Sequence, residues 1–180
     1  MDALLPQAYL IGLIVLLGVA AVVVARQIWR VRADEVTLAK LERKDSAKPS
    51  DAASLYELGS VQLRKRLYGQ AAESLKQALK KAEAEKEPVE AQAVIQNALG
   101  FALAAQNNYK GAIRHYRLAL EAKPAYPVAL NNLAYALEKQ LKLDEAKETY
   151  ERVIGLDPSN KTARKRLKLL ERKVGSVKGA

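Results

Sequence analysis

An all-α chain is predicted, with a single N-terminal transmembrane helix, a solenoid of three helical hairpins and a C-terminal capping helix. Three observations predict it. Ala8 to Ala25 are 18 consecutive residues without a charged or strongly polar side chain, close to the length that crosses a bilayer core of roughly 30 Å. Residues 93–126 are echoed by residues 127–160 at a period of 34. Ala163, Leu167, Leu170 and Val174 then recur at helical spacing, forming one apolar stripe on a terminal helix.

The span is assigned to residues 4–25. A cleaved secretion signal places basic residues before its apolar run. Here Asp2 is the only charged side chain before the run, and Arg26, Arg30 and Arg32 follow it, so a retained anchor is expected. Cationic residues beside a span stay on the cytoplasmic side or its equivalent, which puts the N-terminus outside and the rest of the chain inside. Trp29 sits where an amphipathic ring suits the headgroup level. Residues 26–44 read as a helical juxtamembrane stalk, because they hold helix formers and neither Gly nor Pro. Residues 45–51 form a linker, with Ser50 as the expected N-cap of the next helix.

The hairpins follow as residues 52–88, 93–126 and 127–160. Leu99-Gly100 recurs as Leu133-Ala134, Ala112 as Ala146, Tyr116 as Tyr150, and Pro124 as Pro158. Small residues at a helix crossing, an aromatic between hairpins and a closing proline at this period are the tetratricopeptide (TPR) pattern. The first copy is looser, with Leu58-Gly59, Ala71, Leu75 and Ala78. Gly59 and Gly100 are 41 residues apart, an insertion of about two helical turns, which predicts a long second helix in the first repeat. Residues 161–174 are the capping helix that a solenoid needs over its exposed end. Its outward face is assigned Arg164, Lys165, Arg166, Lys168, Arg172 and Lys173, a charge pattern for anionic headgroups or an acidic partner. Residues 175–180 read as a flexible tail.

Composition narrows the function. With no cysteine among 180 residues, thiolate chemistry and zinc-thiolate sites are excluded. The single histidine, His115, reads as a surface residue, and no glycine-rich phosphate loop is present. Net charge is +10 overall, but only +1 over residues 51–160, against +3 over residues 26–50 and +7 over residues 161–180. A nearly neutral array is no nucleic-acid groove. No catalytic residue, metal site, cofactor or small-molecule substrate is assigned, so the chain is expected to be a binding protein and not an enzyme.

The first helix of each hairpin lines the concave side of such a stack. One face of those helices presents Tyr56 and Ser60, then Asn97 and Phe101, then Asn131 and Tyr135. Asparagine can pair with the backbone of an extended peptide, and an aromatic ring adds apolar area at small entropy cost. A TPR subgroup that holds acidic chaperone tails uses cations in this groove. The corresponding places here are Tyr56, Ser60, Ala98, Val128 and Asn132, which assemble no carboxylate clamp.

The N-terminal block LLPQAYLIGLIVLLG followed by ARQIWRVR, the stalk reaching Leu41 and three TPRs with an insertion after the first resemble one family. It is that of the membrane-anchored TPR proteins of cyanobacteria and plastids that assist photosystem I assembly, the pale yellow green type. The resemblance implies a thylakoid location with the N-terminus lumenal and the repeats on the cytoplasmic or stromal side. It further implies photosystem I subunits or other assembly factors as partners, with lipid met through the N-terminal helix. The alternative from another class is a single-anchor receptor or adaptor that docks soluble cargo proteins at a membrane.

Overall fold

A computed structural model describes residues 4–47 and 51–178, with some side chains near the segment ends left aside. The chain divides into two units, residues 1–43 and 44–180.

The first described helix, α1 (Leu4–Ala47), is uninterrupted. Pro6 lies in its first turn, where a missing N–H costs no intrahelical bond. The helix contains a stretch from Tyr9 to Thr37, 29 residues, that is long and apolar enough to cross a membrane. Its described apolar side chains from Tyr9 to Val24 are exposed. The expected span and stalk are continuous in α1, which also takes in residues 45–47 of the expected linker. Ser50 lies outside the described residues. The cap described for the next helix is Asp51, whose carboxylate accepts from the Ser54 N–H at 2.7 Å.

The second unit holds α2 (Ala52–Arg64), α3 (Tyr68–Ala84), α4 (Val89–Ala105), α5 (Tyr109–Ala122), α6 (Pro127–Lys139), α7 (Leu143–Leu156) and α8 (Lys161–Lys178). Each helix packs on the next, and α2, α4 and α6 also touch across repeats. The three hairpin turns are alike. Arg66, Asn107 and Leu141 take φ of 61°, 62° and 58°. The following N–H groups of Leu67, Asn108 and Lys142 return to Gln62, Leu103 and Leu137 at 2.9, 2.9 and 3.0 Å. These are Schellman closures, which satisfy carbonyls at a helix C-terminus.

Between hairpins the endings differ. Lys123 and Asp157, with φ of −138° and −137°, lead in extended conformation into Pro124 and Pro158. The first repeat lacks that proline, and α3 closes instead through Lys86 at φ 55°, with Glu87 N–H on the Ala82 carbonyl at 2.8 Å. The insertion is not confined to one helix as the sequence predicts. α3 has 17 residues against 14 in α5, and α4 has 17 against 13 in α6. Two antiparallel neighbours each gain about one turn.

Glycine is required where α2 and α4 cross their partners. A Cβ on Gly59 would lie 2.6 Å from Leu75 Cγ, and one on Gly100 2.6 Å from Tyr116 Cε1. Ala134 holds the equivalent place in the third repeat and shares a core cluster with Tyr150. Tyr116 and Tyr150 are each 1% exposed and belong to one core cluster with Leu130, Leu137 and Val153. Ala163 and Leu170 of α8 join that cluster and Leu167 packs beside it, which makes α8 the cap of the stack. The helix continues to Lys178, beyond the boundary read at residue 174. The Val174 side chain lies outside those described.

Candidate protein-binding groove

Where α4, α6 and α8 converge, they enclose a groove of about 410 Å³. Phe101, Asn131 and Tyr135 all line it, over a floor of Tyr116 and Tyr150. Phe101 is 44% exposed, too open for a core residue. Asn131 Oδ1 is buried and has no hydrogen-bond partner. An unpaired buried acceptor costs about 1–3 kcal/mol, and a bound chain's N–H reaches this one only when the amide turns into the groove.

The equivalent Asn97 is used differently. Its Oδ1 accepts from Asn132 Nδ2 at 3.0 Å, and its Nδ2 donates to the Tyr126 hydroxyl at 3.5 Å. That ladder ties α4 to α6 and the turn before it. Asn97 and Asn131 match in register but not in hydrogen bonding. Tyr56 lines a separate recess of about 260 Å³ with Val94 and Ile95, and partly exposed Ser60 lines neither. Ala98, one of the clamp places, is buried on the core side.

The sequence reading missed the groove's cation. Arg166, assigned to the outward face of α8, turns inward and pairs with Glu138 at 3.3 Å. Its guanidinium lies 5.1 Å from the Tyr135 ring centroid, while Lys139 Nζ lies 5.4 Å from the same centroid. Tyr135 thus stands between two cations, which attract its negative ring face. The signal was present in the helical angle, since Arg166 is about 100° from Lys165 around the axis. Burial raises the Tyr150 phenol above its ordinary range, and the Glu138 charge adds to it. Burial alone raises Tyr116. Both floor tyrosines are therefore neutral rings at physiological pH.

His115 is half-buried instead of lying free on the surface. Its Nδ1 is 2.7 Å from Gln96 Oε1. Burial first, then the charges of Arg114 and Lys76, hold its pKa below the ordinary 6.5. Among the described residues no cluster of His, Cys, Asp and Glu could hold a metal ion. Arg26, Trp29, Arg30 and Arg32 lie on α1, where Trp29 is exposed.

The tetratricopeptide repeat family matches residues 37–88, 56–127 and 127–160. The chain is 33% identical to ycf37 of Guillardia theta over 170 residues, covering 94% of both proteins. This chain is a TPR protein of the ycf37 family. It is also 33% identical over 172 residues to the chloroplastic TPR domain-containing protein PYG7 of Arabidopsis thaliana, covering 96% of the chain. It spans 56% of that relative's length. Both similarities include most of α1 as well as the repeats. In fold, this ycf37-type chain matches the first TPR of Spaghetti (RPAP3), solved bound to the HSP90 peptide SRMEEVD. The TM-score is 0.64 at 23% identity, over 69% of the chain and 94% of that domain. TPR domains bind protein partners, and this chain is a protein-interaction scaffold.

Proposed function

We propose that the chain is a membrane-tethered scaffold that holds protein segments during photosystem I assembly, with the repeats on the cytoplasmic or stromal face of the thylakoid. The observation that carries it is the similarity to ycf37 and PYG7 along nearly the whole chain, apolar helix included. The resemblance of the N-terminal block to the pale yellow green type supplies the photosystem, and Arg26, Arg30 and Arg32 supply the orientation.

The groove between α4, α6 and α8 is the holding site. Phe101 offers apolar area, the Asn131 amide turns outward to accept a backbone N–H, and Tyr135 takes a side chain beside its two cations. Spaghetti is solved with the peptide SRMEEVD, whose last four residues, E-E-V-D, carry three acidic side chains. The groove here has its arginine already neutralised by Glu138, so its partner segment is mixed and not strongly acidic.

Affinity capture of the chain from detergent-solubilised photosynthetic membranes tests the reading. Photosystem I subunits or their assembly factors are expected among the bound proteins, and their loss is expected with Phe101→Ala plus Asn131→Ala. Recovery of transit cargo without any photosystem component would favour the receptor alternative.

A further inference from the structure

The outer face of α8 is chemically separate from the groove. Lys161, Lys165, Lys168 and Arg172 are all exposed, and at 3.6 residues per turn they fall within an arc of about 60°. That arc lies opposite the buried stripe of Ala163, Leu167 and Leu170. It forms a straight row about 16 Å long at 1.5 Å per residue. None of the four makes an ion pair among the described residues. Leu169, 41% exposed, stands at the border of the row. Capping the solenoid needs only the opposite face, so the fold does not account for the row.

We infer that this row docks α8 on an anionic lipid surface, giving the scaffold a second membrane attachment. Three of the four cations are lysines, point charges that suit a diffuse plane of headgroups. Recognition of a particular carboxylate favours the planar fork of arginine. The row lies on the solvent-facing side of α8, and none of its four residues lines the groove beside Arg166. Its neighbour Leu169 can enter the headgroup layer as apolar residues of interfacial helices do. Basic residues on such a helix are drawn to acidic lipid within a Debye length. The inference rests on the tether proposed above, which brings a bilayer within reach.

The absence of cysteine allows one dye to be placed by Leu169→Cys, labelled with an environment-sensitive nitrobenzoxadiazole. The full chain is reconstituted in nanodiscs of phosphatidylcholine, with or without phosphatidylglycerol. A blue-shifted emission is expected only in the anionic discs. It is expected to vanish in about 1 M salt, where the screening length is about 3 Å. It is also expected to vanish when Lys161, Lys165, Lys168 and Arg172 are replaced by Gln, a variant whose melting curve should match the parent.

Equal emission in both lipids, or a shift that survives the fourfold replacement, overturns docking. So does a shift produced by polyglutamate and not by the anionic discs, which would assign the row to an acidic protein. Co-elution with the discs is scored separately, so a chain that inserts without a shift refutes docking alone. A chain that inserts in neither lipid refutes the tether. Docking is then read by flotation with phosphatidylglycerol vesicles, and failure to float overturns it.

Discussion

Replacing Leu141 by asparagine is expected to stabilise the repeat unit. Leu141 sits at φ 58° in the turn between α6 and α7, in the left-handed region that costs an L-residue with a branched side chain about 1–2 kcal/mol. Its side chain is 81% exposed, so almost no packing is forfeited when it is removed. The second repeat supplies the comparison: Asn107 occupies the equivalent place at φ 62°, and asparagine tolerates this conformation. Relief of part of the strain gives a gain of about 1 kcal/mol, or on the order of 4 °C in Tm for a unit of this size. Thermal unfolding followed by far-ultraviolet circular dichroism, with Asn107→Leu as the reciprocal variant, measures it. The reciprocal change should cost more than this gain, because it also removes the acceptor of the Tyr109 hydroxyl, Asn107 Oδ1 at 3.0 Å. A lower Tm for Leu141→Asn would refute the reasoning, because it would mean that the exposed leucine makes stabilising contacts the turn geometry does not show.

Three further outcomes follow from the same packing. Gly100→Val should destabilise by about 2 kcal/mol or more through overpacking, since even a Cβ would meet the Tyr116 ring at 2.6 Å, whereas Gly155→Ala meets nothing within 4 Å and should gain about 0.5–1 kcal/mol; urea titrations of both variants check the contrast. Asn131→Ala removes an unpaired buried acceptor and should leave Tm unchanged or slightly raised while weakening partner capture, but Asn97→Ala breaks the ladder to Asn132 and should cost about 1 kcal/mol. His115 has a folded pKa below its unfolded value of 6.5, so the unfolded state binds the proton more readily. Stability should be full above pH 6.5, fall as pH drops from there toward the folded pKa, then level off. His115→Gln should flatten that part of the urea-midpoint profile, and an unchanged slope would refute the assignment to this ring.

Local chemistry was legible in the sequence. Apolar runs, helical spacing, the 34-residue echo and the closing prolines are written within a turn or a repeat of themselves. They predict the helices, the small residues at the helix crossings and the capping role of α8, and the tertiary structure has all three. The site was only partly legible. Phe101, Asn131 and Tyr135 share one groove because the repeat places equivalent positions side by side. Asn97 holds the place equivalent to Asn131, yet register does not say which amide finds a partner across the α4–α6 interface.

Tertiary structure alone decided the features that depend on contacts between distant segments. Arg166 turns into the groove because Glu138 lies 28 positions earlier in the chain and 3.3 Å away in space. The insertion is shared between α3 and α4, 17 residues each against 14 in α5 and 13 in α6. His115 is half-buried because α4 brings Gln96 to its ring. A sequence determines its periodicities by residue spacing, but a hydrogen bond or ion pair between repeats depends on side-chain directions that only the packed stack sets.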